Sequence, residues 1–504
     1  MPSSYAKDYF TWRFLLEKKT SKKEALEAYK WTKRKSYKLN KAIKKKLGYR
    51  PRTTKKTNSK KDPKNFIIYP KTASKKSLRE LKKLYKKILK QGRYSDTLKV
   101  MSANNAFSIL KDLNASTQCY IFNGVSSKYR KKHFNQAFTP KQLEYLIHEK
   151  QFNQTIEKIV TSTSLNKIKK SLIFLIDDNS LTFQSNFYLA INAIQNNQLK
   201  AAKNFLKIAR TKTDYQSRYD QIDFWMYLIT SDKSHLNKLL KSYDINLYTL
   251  RARDILNQPY PKVEIPNFSF KVVNNFDVTN PIDWEKIKLK MQDSNVNYRE
   301  LEKKYNSSET LGIYTYLKEK ETKYKVPYYA MPYPLAMWGF KKQRIALLYS
   351  IARQESRFVP ASVSPSYALG MMQIMPFLVK HLAKERGKKV DLNDMFNPYV
   401  SVNYANQHLD YLNKWLYHPL FVAYAYNGGI GFTKRTIRSS HLFKKGAYEP
   451  YLSMELIDYP ESKEYGKKVL ANYVIYSNLL GIETKISPLL NSLVHPSQTD
   501  RFRK

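Results

Sequence analysis

Only one cysteine, Cys119, occurs in 504 residues, so no internal disulfide can form and the covalent framework carries no information about redox compartment. Cys119 is read as a small buried apolar residue. Long apolar runs are also missing. The run from Leu172 to Ile176 falls far short of the roughly 20 residues a membrane-spanning helix needs. The opening stretch MPSSYAKDYFTWRF has no apolar core of the secretory-signal kind. Eight histidines are scattered without a His-Glu-x-x-His pattern or a Cys/His cluster, so no metal site and no cofactor are expected. His408 and His418 are read as surface or partly buried residues. Gly429-Ile430-Gly431 lacks the rest of either phosphate-binding fingerprint. Acidic residues are scarce as well: 41 Asp and Glu stand against 90 Lys and Arg, a formal net charge of +49. Such a field favours anionic partners, with nucleic acid, anionic lipid and anionic cell wall all candidates, and says nothing about fold.

What is present is mostly helical pattern. A chain of this length predicts several domains with ample buried cores. Residues 5–48 read as a helix pair broken at Thr20-Ser21, with Ser21 and Glu24 as a capping box for a helix Lys22 to Arg34. From Lys41 to Lys90 there are twenty basic residues and two acidic ones, Asp62 and Glu80. Within this run Arg50 to Lys64 reads as an exposed loop, and Leu78, Leu81, Leu84 and Ile88 form a helical stripe. Each lysine taken alone is a solvated side chain; taken together they form a surface for a polyanion.

From about Thr139 to Ala252 short helices follow one another, among them Leu143–Ile147, Phe183–Ala193, Leu199–Ala209, Phe224–Leu228 and Leu236–Leu240. The unit Tyr188 to Ile208, bent at Asn196-Asn197, looks like a two-helix repeat of a solenoid. Pro259, Pro261 and Pro266 interrupt this series, and Phe268 to Val272 alternates like a strand or extended linker. Helices Trp284 to Met291 and Tyr298 to Tyr305 follow. Met331-Pro332-Tyr333-Pro334 then marks a turn.

The chemistry concentrates after that turn, in Ile345 to Pro376. Leu348, Ile351 and Ala352 continue from Ile345 as the stripe of a helix that buries one face. Glu355 extends the stripe, four residues after Ile351 and seven after Leu348. A carboxylate on the buried edge of a helix's last turn is desolvated and sits near the negative end of the helix dipole, and both effects favour a retained proton. Pro360 and Pro365 are expected to stop the helix, leaving Glu355 at a junction that borders a cleft. Taken alone, such a Glu more often just ends a helix in solvent. The residues downstream change the balance.

Those residues are Glu355-Ser356, Ser364, Gly370-Met371-Met372-Gln373-Ile374-Met375-Pro376, Ala425-Tyr426-Asn427-Gly428-Gly429 and Glu461-Ser462-Lys463-Glu464-Tyr465. In order and type they resemble the soluble lytic murein transglycosylases, with their goose-lysozyme-like catalytic domain. The chain departs from that pattern at Tyr367, where a small residue is expected, at Gly428 in place of Ala, at Ser462 in place of Thr, and in the position of Pro460. These departures bear on local loop shape.

The resemblance implies a mainly α fold: an α-superhelical domain over 1–265, strongly basic in 41–90, a small helical linker domain over 266–330, a lysozyme-like transglycosylase domain over 331–485 and a tail over 486–504. It implies cleavage of the β-1,4 bond between MurNAc and GlcNAc of peptidoglycan without water, leaving 1,6-anhydroMurNAc ends. Glu355 would be the single acid and then base, with the substrate's N-acetyl group as nucleophile. Ser364, Gln373, Met375, Tyr426, Asn427, Glu461 and Tyr465 would line the sugar subsites, with Ser356 and Met372 in support. Tyr426 and Asn427 are expected to stand exposed at a helix end. Ser356 is not read as a nucleophile, since no Gly-x-Ser-x-Gly elbow surrounds it. Peptidoglycan strands and other cell-wall enzymes are the implied partners, with no nucleic acid, no membrane span and a monomeric state. The implied location is the periplasm or cell envelope, the chain then being a form whose leader has been removed. Two other readings stay open: a hydrolytic muramidase, and a non-catalytic helical-repeat scaffold for acidic polymers.

Overall fold

A computed structural model describes residues 4–32, 34–51, 67–88, 92–177 and 179–503. Among them there is no β-strand, only isolated bridges such as Val363 with Leu369 and Leu369 with Ile374. No described helix is long and apolar enough to cross a membrane. By backbone contacts the chain divides into two compact units, Met1–Lys55 with Tyr243–Arg435 and Glu464–Lys504, and Lys56–Ser242 with Thr436–Lys463.

In the first unit the N-terminal segment forms three helices, Tyr5–Leu16, Lys22–Trp31 and Tyr37–Leu47, not the pair expected. The capping box of Ser21 and Glu24 is present, but its helix ends at Trp31. A further start follows where the Ser36 hydroxyl accepts from the Leu39 N–H. Leu15, Ala25, Tyr29, Leu39, Ala42 and Ile43 make the small core of this bundle. The loop read at Arg50 to Lys64 lies almost wholly outside the described residues.

Further along, Pro281–Lys290, Tyr298–Tyr305 and Leu311–Glu321 pack around Trp284, Ile287, Leu301, Ile313 and Leu317, and this core also takes in Val359 and Ala361. The alternating segment Phe268–Val272 joins no sheet. It is tied through Ser269 to Asn306 and through Lys271 O to the Ser307 hydroxyl, while Phe270 is exposed. The helices Lys342–Ser356, Pro376–Glu385, Pro398–Asn413, Pro419–Gly428 and Pro460–Leu479 follow. Pro at the first position of most of them suits an N–H that no helix bond would use.

The second unit is a succession of helices, including Leu78–Lys87 behind a Ser77–Glu80 capping box, Pro140–Ile147, Phe152–Val160, Phe183–Gln195, Leu199–Arg210 and Gln216–Thr230. The turn at Asn196-Asn197 joins one antiparallel pair, with Asn197 left-handed at φ 57°. Cys119 is buried here, and burial pushes its thiol up to about 12. The returning segment closes on these helices, with Phe224 and Tyr451 rings 4.8 Å apart and Gln221 Nε2 donating to Glu455 Oε1 at 3.0 Å.

Candidate active site

The helix Lys342–Ser356 is buried on every side from Ala346 to Arg353, not along one face as the apolar spacing suggested, and leaves Glu355 half-buried in its last turn. It ends sooner than its prolines would require. Arg357 at φ 55° and Phe358 at φ 66° are both left-handed, and the Arg357 N–H donates to Ala352 O. Pro360 and Pro365 come after the helix is already over. Two non-glycine residues in this region cost about 1–2 kcal/mol each, so the surroundings must hold them there.

The Tyr465 hydroxyl donates to Glu355 Oε1 at 2.8 Å. Tyr465 is 5% exposed and lies on the helix Pro460–Leu479. Gly466, beside it, has no room for a side chain: a Cβ there would lie 2.2 Å from the Tyr424 ring. This close approach seats the Tyr465 helix against Pro419–Gly428, the helix that carries Tyr426. Tyr426 is half-buried, not exposed as expected, and its hydroxyl donates to Met372 O at 2.8 Å. Burial comes first and the Glu355 charge next in raising both tyrosine hydroxyls well above the ordinary phenol value. Both therefore stay protonated donors at any working pH. Asn427 lies half-buried one residue on, before the Gly429 cap at φ 85°.

The turn Gly370–Ile374 is bound to the helix end by the Ser356 hydroxyl, which donates to Met371 O at 2.8 Å. Gly370 is required: at φ 77° it takes a conformation suited to glycine, and a Cβ would lie 1.9 Å from Met395 O. Gln373 folds its amide back on the turn, donating to Gly370 O at 2.7 Å and to Ser362 O at 3.2 Å. The Ser364 hydroxyl accepts from the Ala368 and Ser366 N–H groups. Their polar groups thus shape this loop. Met372 is fully buried, with its N–H donating to the Ser401 hydroxyl, and half-buried Met375 precedes the helix Pro376–Glu385. Neither methionine is within a helix. Glu461 is exposed in the first turn of its helix and accepts from the Tyr459 hydroxyl at 3.4 Å.

Hydrogen bonds thus tie Tyr465 to Glu355, and tie Ser356 and Tyr426 to the Met371–Gln373 turn. Residues the motif did not include add further contacts. His418, expected at or near the surface, is 3% exposed. Its Nδ1 accepts from the Leu420 N–H and its Nε2 donates to Leu489 O, so a neutral ring caps the Tyr426 helix. Tyr367, the bulky departure from the family pattern, is buried and bonds through its hydroxyl to Ser36 at 2.9 Å. Its ring lies 5.5 Å from Trp12. Only the Ser36 cap, visible as a helix start, could have signalled that contact.

A family model described as transglycosylase SLT domain matches residues 340–448. The chain is 30% identical over 139 residues to the soluble lytic murein transglycosylase of Salmonella typhimurium, covering 26% of this chain and 20% of that protein. The Escherichia coli protein of the same name is 30% identical over 135 residues, with the same coverage. The matched stretch therefore spans about a fifth of these relatives' own length. Among solved structures, the soluble lytic transglycosylase of Escherichia coli has a TM-score of 0.49 at 15% identity, covering 95% of this chain and 81% of that one. An inactive mutant of the Pseudomonas aeruginosa lytic transglycosylase also has 0.49, at 13% identity, covering 83% and 68%. Residues 340–448 thus match the transglycosylase SLT domain.

Proposed function

We propose that this protein is a peptidoglycan lytic transglycosylase that cleaves the bond between MurNAc and GlcNAc without water, and that Glu355 is its single acid and base. The observation that carries this reading is the 2.8 Å bond from Tyr465 to a half-buried Glu355 inside the matched domain. A hydroxyl that donates to one carboxyl oxygen fixes the direction of the group in either protonation state.

In the reaction, protonated Glu355 gives its hydrogen to the glycosidic oxygen as the bond to C1 of MurNAc breaks. The carbonyl oxygen of the sugar's own N-acetyl group attacks C1 and forms an oxazolinium ring. The ionised Glu355 then removes the proton of the C6 hydroxyl, whose oxygen attacks C1, reopens the acetamido group and closes the 1,6-anhydro ring. One carboxylate serves both steps, acid first and base second. Exclusion of water from the second step separates this outcome from hydrolysis.

Tyr426 and Met375 offer apolar faces to the sugar rings, while Asn427, Ser364 and Gln373 contribute polar groups, the last two mainly by shaping their loop. Glu461 and Tyr465 form the groove wall, and Ser356 and Met372 support the helix end. The proposed organisation is a superhelical domain over 1–265, a linker over 266–330 and the catalytic domain over 331–485, acting as a monomer in the periplasm or cell envelope. The net charge of +49 would hold the anionic polymer. Mass analysis of soluble products from purified cell wall tests the whole: anhydro ends support it, reducing ends favour a hydrolytic muramidase, and no release favours a scaffold.

A further inference from the structure

The catalytic helix ends between two arginines, Arg353 and Arg357, that flank Glu355 at equal distance in sequence. Residues two apart on a helix point to different sides, so Arg353 does not face the partners of Glu355. Both guanidiniums instead meet one buried carboxylate. Glu319, 2% exposed, has its Oε1 2.9 Å from Arg353 Nη1 and accepts a bond from Arg357 Nη1, also at 2.9 Å. Arg353 is itself 8% exposed and lies over the Tyr329 ring at 4.3 Å. The Asp244 carboxyl is also within the field of both arginines.

Glu319 lies near the end of the helix Leu311–Glu321, whose other end presses on the same junction. A Cβ on Gly312 would lie 2.4 Å from Phe358 O, the second of the two left-handed residues. One helix therefore contacts the catalytic helix end twice, at Phe358 by close approach and at Arg353 and Arg357 by charge. Buried ion groups are poor sources of net stability, because apolar residues of similar size usually do as well. What they supply is a fixed geometry, and the strained Arg357–Phe358 junction needs one.

We propose that Glu319 is a positioning residue: by holding Arg353 and Arg357, it fixes the last turn of the helix and so the direction of the Glu355 carboxyl. This rests on the transglycosylase reading above. A carboxyl misdirected by about 1 Å costs rate on the order of 100-fold while leaving the sugar contacts in place. The signature is therefore a fall in kcat with little change in KM.

The test uses the full chain and solubilised, uncross-linked glycan strands, with anhydro ends as readout. Glu319→Gln is expected to lower kcat at least tenfold with KM within twofold of wild type. Arg357→Gln, at a partly exposed position that leaves folding intact, is expected to do the same, and Arg357→Lys to stay within threefold of wild type. Because both changes act through one bond, the double variant should be no worse than the poorer single variant within threefold. If kcat of Glu319→Gln and Arg357→Gln stays within twofold of an active wild type, or only KM rises, the inference is overturned even where melting temperature drops. A wild-type protein that releases nothing overturns the transglycosylase reading and this inference with it.

Discussion

In the proposed cycle Tyr465 donates to a carboxyl that gives up a proton and takes one back. The bond at 2.8 Å restrains Glu355 through that cycle, and removing the hydroxyl takes that restraint away. Tyr465→Phe is expected to cost about 1.5–3 kcal/mol of transition-state stabilisation, the range for a bond to a charged group. The measurement is kcat for release of anhydro ends at neutral pH, expected to fall roughly 10- to 100-fold. A rate within twofold of wild type would remove Tyr465 from the machinery. Part of the candidate site was legible: the apolar spacing from Ile345 marked Glu355 as partly buried, and the motif order named Tyr465, whose hydroxyl meets it. The contacts of neighbouring residues were not, because Ser401 meets Met372, Glu319 meets Arg357 and Leu489 meets His418 only through tertiary folding and leave no local pattern.

The helix Pro419–Gly428 starts on His418, a buried ring that must be neutral for its Nδ1 to accept from Leu420. Burial brings its affinity for a proton down from 6.5 to about 4. The unfolded chain therefore takes up a proton at about pH 6.5 while the folded one does not, so stability falls as pH drops from about 6.5 towards about 4. The loss is of the order of 3 kcal/mol. His408, also held down to about 4 by burial, adds to the same window. Melting curves across this range should flatten in His418→Asn, which retains a neutral cap; an unchanged slope would contradict the assignment. Tyr367 ties the loop before Gly370 to the N-terminal helices. Tyr367→Phe should cost about 1 kcal/mol by losing the Ser36 bond, and Tyr367→Ala about 3 kcal/mol by also leaving a cavity. Equal melting temperatures for all three proteins would contradict that role.

Element boundaries were legible where a cap is written locally and obscure where backbone strain does the work. Ser21-Glu24 fixed one helix start, and Tyr298–Tyr305 was read to the residue. The end at Arg357-Phe358 was not, because no glycine marks it and Pro360 suggests a later stop. The third N-terminal helix was missed although Ser36 caps it, since the basic run around it masks the apolar period of Leu39, Ala42 and Ile43.

For the whole molecule, a helical fold and one carboxylate at a helix end were within reach of the sequence, while the division by contact was not. The described N-terminal residues group with 243–435, which composition gives no means to foresee. Tyr9 to Asn393 and Arg13 to Asp391 are such links, spanning more than 370 positions of chain. What Glu355 does to a glycan strand decides between the open readings. Purified cell wall is to be digested with the wild-type chain and with Glu355→Gln, and the soluble fragments weighed. Wild type should release fragments lighter by one water than the corresponding reducing sugars, and Glu355→Gln should release none. Anhydro ends from Glu355→Gln, or only reducing ends from wild type, would contradict that expectation.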